Sequence, residues 1–253
     1  MTFLVLIPAR MKSSRLPGKP IADICGKPMV VRVAETAMSS GASRVVVAVD
    51  DERVADVCLN ENIECVMTNS NHSTGTDRLS EAVGLLGLND EDIVVNLQGD
   101  EPLMPVSVIQ QVAELLEQRK DCDIATAAHR IYDIESFLDP NVVKVVLDNA
   151  NTAITFSRAP IPWPRDHFRK SKNTLPDNMV ALHHLGIYAY RVGFLKKYPK
   201  LEQAPLEALE SLEQLRALYY GKKIAVAVLD EDLPAGVDTI EDLNRVRQIY
   251  STR

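Results

Sequence analysis

Four cationic side chains, Arg10, Lys12, Arg15 and Lys19, fall within ten residues directly after the apolar run LVLIPA (4–9). Clustered charges of one sign repel each other unless a polyanion sits among them, and a local cluster focuses its field whatever the total charge. Pro17-Gly18 adds a tight turn whose backbone N–H groups can approach a phosphate. The known phosphate-loop spacing does not fit: before Gly18-Lys19 it needs Gly at position 13 and Ser or Thr at 20, which are Ser13 and Pro20. Gly26-Lys27 fails in the same way, with Ile21 and Pro28. The dinucleotide fingerprint G-x-G-x-x-G is missing as well. The opening loop therefore reads as an anion site of another kind.

Three further stretches carry chemistry. In VNLQGDEPLM (95–104) an apolar run ends in Gln98-Gly99-Asp100-Glu101. A carboxylate at the carboxyl end of a parallel strand can hold Mg²⁺ against phosphates, although a turn-forming Asp fits the stretch equally. In PAGVDTIEDL, Asp238 taken alone reads as the N-cap of the last helix. In HSTGTDRLSEA, Ser73, Thr74, Gly75 and Thr76 open a helix, where N–H groups can hold an anion or a polar base edge, and Arg78 adds a fixed charge. A structural capping box competes with that reading.

These residues need a frame. Apolar runs of strand length at 3–8, 44–50, 64–67 and 92–97 alternate with helical spacing at 28–38, 52–60, 76–86 and 106–119. That rhythm predicts βαβ units in a doubly wound, mostly parallel α/β sheet. After residue 121 it changes. Strand character at 123–128, 142–147, 153–157 and 185–190 comes with little helix between, and 158–178 is a long loop rich in Pro and charge. Helix at 206–219, strand at 223–229 and helix at 239–250 complete the pattern. A single domain over 1–253 is expected, with an antiparallel excursion over 130–190 that forms part of the site. Its uncovered apolar strands make it the expected homodimer contact.

Composition narrows the classes. The chain has 253 residues, is 46% hydrophobic and carries a net charge of −7, which argues against a nucleic-acid binder and for a small anionic ligand held locally. Cys25, Cys58, Cys65 and Cys122 form neither a Cys-x-x-Cys pair nor a zinc spacing. They read as buried reduced thiols. No signal peptide and no membrane-spanning run is visible, so a cytoplasmic protein is expected.

The segments IPARMKSSRLPGKP, STGTDR, VNLQGDEP, NVVKVVLD, FSRAPIPW, HHLGIYAYR, LESLEQLRALYYG and GVDTIEDL occur in this order. Together, over nearly the whole chain, they resemble the 3-deoxy-manno-octulosonate cytidylyltransferase family. The first segment alone suggests only a sugar nucleotidyltransferase; HLGIYAYR with LEQLR narrows it.

The resemblance implies transfer of CMP from CTP to a 2-keto-3-deoxy sugar acid, giving CMP-Kdo for lipopolysaccharide synthesis, on a nucleotide-diphospho-sugar transferase-like fold. It implies Mg²⁺ on Asp100 and Asp238, with Arg10 and Lys19 acting on the phosphates. Ala9, Ser13, Arg15, Ser73, Thr74, Gly75, Thr76, Arg78, Gln98 and Gly99 would complete the nucleotide site. Arg158, Arg165, His184, Tyr188, Glu213 and Gln214 would line the sugar-acid pocket. Departures fall at STGTDR, at His183, and after Asp166, where Arg169, Lys170 and Lys172 stand. They leave the 8-amino analogue or sialic acid as alternative acceptors. A nucleotide-sugar glycosyltransferase would need an Asp-x-Asp pair, for which Asp121/Asp123 and Asp230/Asp232 are the available positions. A non-catalytic nucleotide sensor is the other competing class; retention of Arg10, Lys19, Asp100 and Asp238 together argues against it.

Overall fold

The computed structural model describes residues 2–13, 15–72, 74–230 and 233–252. In chain order the elements are β1 (Leu4–Ala9), β2 (Asp23–Ile24), β3 (Lys27–Pro28), α1 (Met29–Met38), β4 (Arg44–Val49), α2 (Glu52–Asn60), β5 (Cys65–Met67) and α3 (Gly75–Leu85). There follow β6 (Ile93–Asn96), α4 (Val106–Gln118), β7 (Ile124–Arg130), α5 (Ile134–Leu138), β8 (Lys144–Leu147), β9 (Ala153–Ser157), α6 (Arg165–Phe168) and β10 (Leu182–Arg191). The last are α7 (Val192–Leu195), α8 (Pro205–Glu210), α9 (Gln214–Tyr219), β11 (Ile224–Leu229) and α10 (Ile240–Ser251).

The main sheet runs β11-β7-β10-β6-β1-β4-β5, and along that path β10 alone is antiparallel to its neighbours. β1 is buried throughout, as a parallel strand covered on both faces must be. Its Val5 and Ile7 face one core with α1, α2 and α4. Its Leu4 and Leu6 face the other with α3, α7 and α9. The doubly wound α/β sheet expected from the alternation is present.

The departure from parallel pairing is where the sequence rhythm changed. β10 pairs antiparallel with β7 along nearly its whole length and with β6 through its second half, and its first residues also pair with β8, which pairs with β9. A register shift between Leu185 and Tyr188 marks the join.

One expected helix is two. The spacing of 206–219 predicts a continuous helix, but Ser211 takes a left-handed conformation (φ 51°) and ends α8. A non-glycine residue there is strained and needs support. Arg216 of α9 supplies it by binding Glu207 of α8 bidentately, at 2.5 and 2.7 Å, and by covering the Tyr198 ring at 4.5 Å. The four cysteines are unpaired as expected, but only Cys58 and Cys122 are buried; Cys25 is exposed and Cys65 partly so. Among the described residues no helix is long and apolar enough to cross a membrane.

Candidate active site

The carboxyl ends of β1 and β6 lie side by side at the sheet's switch point, where α/β sheets open a crevice. The 10–18 loop leaves one and Gln98-Gly99-Asp100 leaves the other. Gly99 lets them meet: a Cβ there would stand 2.8 Å from the Pro8 carbonyl oxygen, too close for any side chain. Gly18 turns the opening loop at φ 70°, and a short 3-10 turn, Lys19–Ile21, follows. Between them lies a cavity of about 370 Å³ lined by Ala9, Arg10, Lys12, Ser13, Arg15, Lys19, Gly75, Gln98, Gly99, Asp100 and Asp238. One Arg10 guanidinium nitrogen, Nη2, is buried with no partner among the described residues.

Lys19 is the centre of this cavity's charge. Its Nζ donates to Asp100 Oδ2 at 2.6 Å, to the Val237 carbonyl at 3.0 Å and to Asp238 Oδ1 at 3.1 Å. Burial works against its charge, but the two carboxylates outweigh it and raise its pKa above the ordinary lysine value. Arg15 also reaches Asp238 Oδ1, at 3.0 Å. Beside them Glu101 is pushed up to about 8, first by burial and then by the Asp100 and Asp238 charges, so at pH 7 it is mostly protonated.

Asp238 is not the N-cap its sequence position suggests. Thr239 caps α10 by accepting from the Asp242 N–H at 3.2 Å, and Asp242 closes the capping box. The Asp238 carboxylate is thereby left to face the site. Fully buried Val237 anchors the turn in a small core with Ile24, Met29 and Leu243, and its N–H donates to the Asp100 carbonyl at 2.8 Å. α10 thus brings the chain's end to the first loop.

The segment at 73–78 divides its tasks. Ser73 lies outside the described residues. Thr74 caps α3, its hydroxyl accepting from the Asp77 N–H at 3.1 Å, so the capping interpretation holds there. Gly75 lines the cavity. Thr76 donates to Glu213 Oε2 at 2.7 Å. Arg78 corrects the expectation of a ligand-facing charge. It is fully buried, donating to Asp50 Oδ2 at 2.8 Å and Thr68 Oγ1 at 2.7 Å. Burial holds its pKa below the usual arginine range; Asp50 opposes this and Arg10 adds to it. The other oxygen of Asp50 accepts from the Met11 N–H at 3.0 Å. Arg78 therefore acts through Asp50 on the start of the basic loop after β1.

A second, inner cavity of about 250 Å³ opens behind the first and shares Gly75 and Gln98 with it. Tyr188, Glu213 and Gln214 line it together with Asn96, Tyr190 and Tyr198. Glu213 and Gln214 by default belong on an exposed helix face. The break at Ser211 instead places Gln214 at the first turn of α9 with 9% exposure. Tyr188 and Tyr190 share a face and stack at 5.6 Å. Burial raises both phenol pKa values well above 10.

The remaining sugar-pocket candidates are elsewhere. His184 is buried, its Nε2 is 3.0 Å from Thr126 Oγ1, and it borders a different cavity with His129 and His183. Arg158 is turned to the Glu210 and Pro140 carbonyls at 2.7 and 2.9 Å. Arg165 stands on α6 with 78% of its side chain exposed. Neither arginine lines these cavities. Asp121 and Asp123 precede β7, at the opposite edge of the sheet, and are held by Arg119, Lys222 and Lys223.

Comparison with known proteins bears on the chain as a whole. A family model described as cytidylyltransferase matches residues 4–224. A 3-deoxy-manno-octulosonate cytidylyltransferase of Neisseria meningitidis serogroup A is 54% identical over 250 residues, 99% of this chain and 98% of that one. The chain belongs to the 3-deoxy-manno-octulosonate cytidylyltransferase family. The protein of that description from Herminiimonas arsenicoxydans is 52% identical over 251 residues, covering 99% of this chain and all of its own. A solved CMP:2-keto-3-deoxy-manno-octonic acid synthetase complexed with CTP superposes with a TM-score of 0.90 at 36% identity, covering 100% of this chain and 99% of the other.

Within this cytidylyltransferase fold, sequence reasoning passed over three residues that shape the site. Asp50 follows an apolar strand, a signal that marks a carboxyl edge. Glu101 stands beside Asp100, but its burial has no sequence signature. Asn96 interrupts the apolar run IVVN by one amide.

Proposed function

We propose that the chain transfers the cytidylyl group of CTP to the anomeric hydroxyl of 3-deoxy-manno-octulosonate, releasing pyrophosphate. The observation that carries this is the pairing of two cavities joined at Gly75 and Gln98. One is cationic and closed by Asp100 and Asp238; the other is lined by aromatic rings and hydrogen-bonding side chains, as a polyhydroxylated acceptor requires. The α-phosphorus of CTP would lie where they meet.

In the reaction the sugar oxygen forms a bond to the α-phosphorus and loses its proton to solvent. The bond to the β-phosphate breaks and its electron pair leaves with pyrophosphate. Catalysis of such transfers is mostly positioning and charge neutralisation. The unpartnered Arg10 nitrogen supplies a donor for a phosphate oxygen, and Lys19 and Arg15 offset the charge growing on pyrophosphate. Ala9, Ser13, Gly75 and Gly99 shape the nucleotide cavity. Gln98, bordering both cavities, is the side chain placed to touch both substrates. Tyr188, Glu213 and Gln214 address the sugar acid. Arg158 and Arg165 serve its carboxylate only in a conformation that carries 158–168 over the inner cavity.

Asp100 and Asp238 fit a Mg²⁺ ion: two hard carboxylates already converge on one cation, the Lys19 ammonium, and Mg²⁺ is commonly held by one or two carboxylates with substrate phosphates completing the shell. When bound, Mg²⁺ supplies positive charge at the transferring phosphate and makes the attacking hydroxyl more acidic.

A homodimer is proposed through the excursion, where Ile154, Trp163 and Val180 are exposed, and where Val180 lines a cavity together with Val146, Leu147 and the exposed Val228 of β11. Sedimentation as a monomer at micromolar concentration would overturn it. The unpaired cysteines fit a cytoplasmic location.

The test is pyrophosphate release with Mg²⁺ and each of the four NTPs, with 3-deoxy-manno-octulosonate, its 8-amino analogue or sialic acid as acceptor. Release is expected with CTP and 3-deoxy-manno-octulosonate, and its loss in Asp100→Asn. Release dependent on another acceptor would reassign the substrate; none with any pair would remove the reaction.

A further inference from the structure

Asn96 is the last residue of β6, and its register partners are Leu6 on β1 and Tyr188 on β10. The face it shares with them is otherwise apolar, with Leu4, Leu6 and Val94 in one buried cluster. Asn96 is 3% exposed. Its Oδ1 is buried without a hydrogen-bond partner among the described residues, and the residue lines the inner cavity. Buried acceptors in native proteins are nearly always paired, and leaving one unpaired costs the full desolvation of the group. An aliphatic residue such as Val94, two positions earlier, would satisfy packing at no such cost. Two donors lining the cavity are turned to Glu213, the Thr76 hydroxyl to its carboxylate and the Tyr198 hydroxyl to its carbonyl at 3.2 Å, and no donor among the described residues reaches Asn96 Oδ1. The partner of this oxygen is therefore a donor brought in by whatever fills the cavity.

We infer that Asn96 is a specificity residue for the acceptor, its Oδ1 accepting a hydrogen bond from a hydroxyl of the sugar acid. This rests on the reaction proposed above. The hydroxyl is not the reacting one. Asn96 lies two residues before Gln98, about 6.6 Å deeper if the chain stays extended past the end of β6, whereas the reacting oxygen must lie near Asp100. Asn96 thus reads the sugar away from its anomeric carbon. The cytosine amine and the ribose hydroxyls of CTP are the other donors the substrates offer. They are disfavoured because the cavity Asn96 lines is the one carrying Tyr188, Glu213 and Gln214, and not the cationic one.

The test compares wild type with Asn96→Leu, nearly isosteric but without the acceptor, on 3-deoxy-manno-octulosonate and a set of its monodeoxy analogues. A site built to bind a hydroxyl discriminates steeply against its loss, so kcat/KM for the sugar acid should fall about 10- to 100-fold with KM for CTP unchanged. One monodeoxy analogue should show a matching loss with wild type and no further loss with the variant. An unchanged kcat/KM for the sugar acid overturns the inference, as does a rise in KM for CTP in its place. The wild-type analogue series does not depend on the variant folding: if every non-reacting hydroxyl can be removed without loss, the inference fails. Failure of wild type to release pyrophosphate from CTP with any sugar acid would instead remove the reaction on which it rests.

Discussion

In the parallel half, each strand ends where its loop becomes part of the site or of its support. The basic loop follows β1, Asp50 follows β4, Thr68 follows β5, and Gln98 to Asp100 follow β6. In the antiparallel region the candidates scatter. Tyr188 on β10 reaches the inner cavity, His184 borders another, and Arg158 and Arg165 stand outside both. Parallel strands joined by helices deliver all their carboxyl ends to one edge, so adjacency in the site follows from topology. Antiparallel strands alternate in direction, and their loops emerge at both ends. Side chains there reach a site only through particular registers, bulges and helix breaks.

Substitutions can break or sharpen this contrast. The largest effect is expected at the edge where the parallel half concentrates its charge. Asp100→Asn should lower pyrophosphate release by about 10³-fold, in the range seen when a preorganised electrostatic group is removed, while leaving the thermal midpoint near that of wild type. Close behind is the support beneath the loop. Asp50→Ala leaves Arg78 buried and unpaired, and loss of one partner of a buried pair costs about 3–5 kcal/mol. Urea unfolding should show a drop of that size. A drop below about 1 kcal/mol would mean that the parallel half does not depend on this pair.

The antiparallel region should respond less. Burial, aided by the charge of His183, holds His184 down at about 3, below the unfolded value near 6.5. A base depressed in the fold contributes stability that is present above pH 6.5 and is lost as the pH falls toward 3, because only the unfolded chain takes up the proton. Between pH 7 and 5 wild type should therefore lose about 2 kcal/mol more in urea unfolding than His184→Gln. Equal slopes would place the imidazole in water. Where the two regions touch, a double-mutant cycle of Thr76→Val and Glu213→Gln, read as kcat/KM for the sugar acid, should give a coupling of about 1–1.5 kcal/mol. No coupling would mean that the α3 and α9 termini act independently. The smallest effect is at Arg165. Its replacement by Ala should leave stability within about 0.5 kcal/mol. A rise in KM for the sugar acid in that variant would show that the excursion closes over the ligand and would narrow the contrast.

Most of the parallel half was legible because its signals are local. Apolar runs of fixed length, alternating with amphipathic helices, predict the sheet, and a basic loop after the first strand predicts an anion site at its edge. What the sequence hid was of another kind. The 206–219 spacing is that of one helix, and the left-handed Ser211 that splits it is stabilised by the Glu207–Arg216 pair across the break. Arg78 looked like a ligand-facing charge because burial cannot be read from one residue. Asp238 looked like a cap because Thr239, one residue on, is an equally good one.

The sequence by itself determined the α/β class, the basic opening loop and, through its ordered segments, the family. These follow from residue type and spacing along the chain. Only the tertiary structure decided that Lys19 bridges Asp100 and Asp238, that Arg78 supports the loop from below, and that Glu213 and Gln214 turn inward. Each depends on which distant segments the core brings within about 3 Å of one another, the distance over which a hydrogen bond acts, and sequence spacing carries no measure of that.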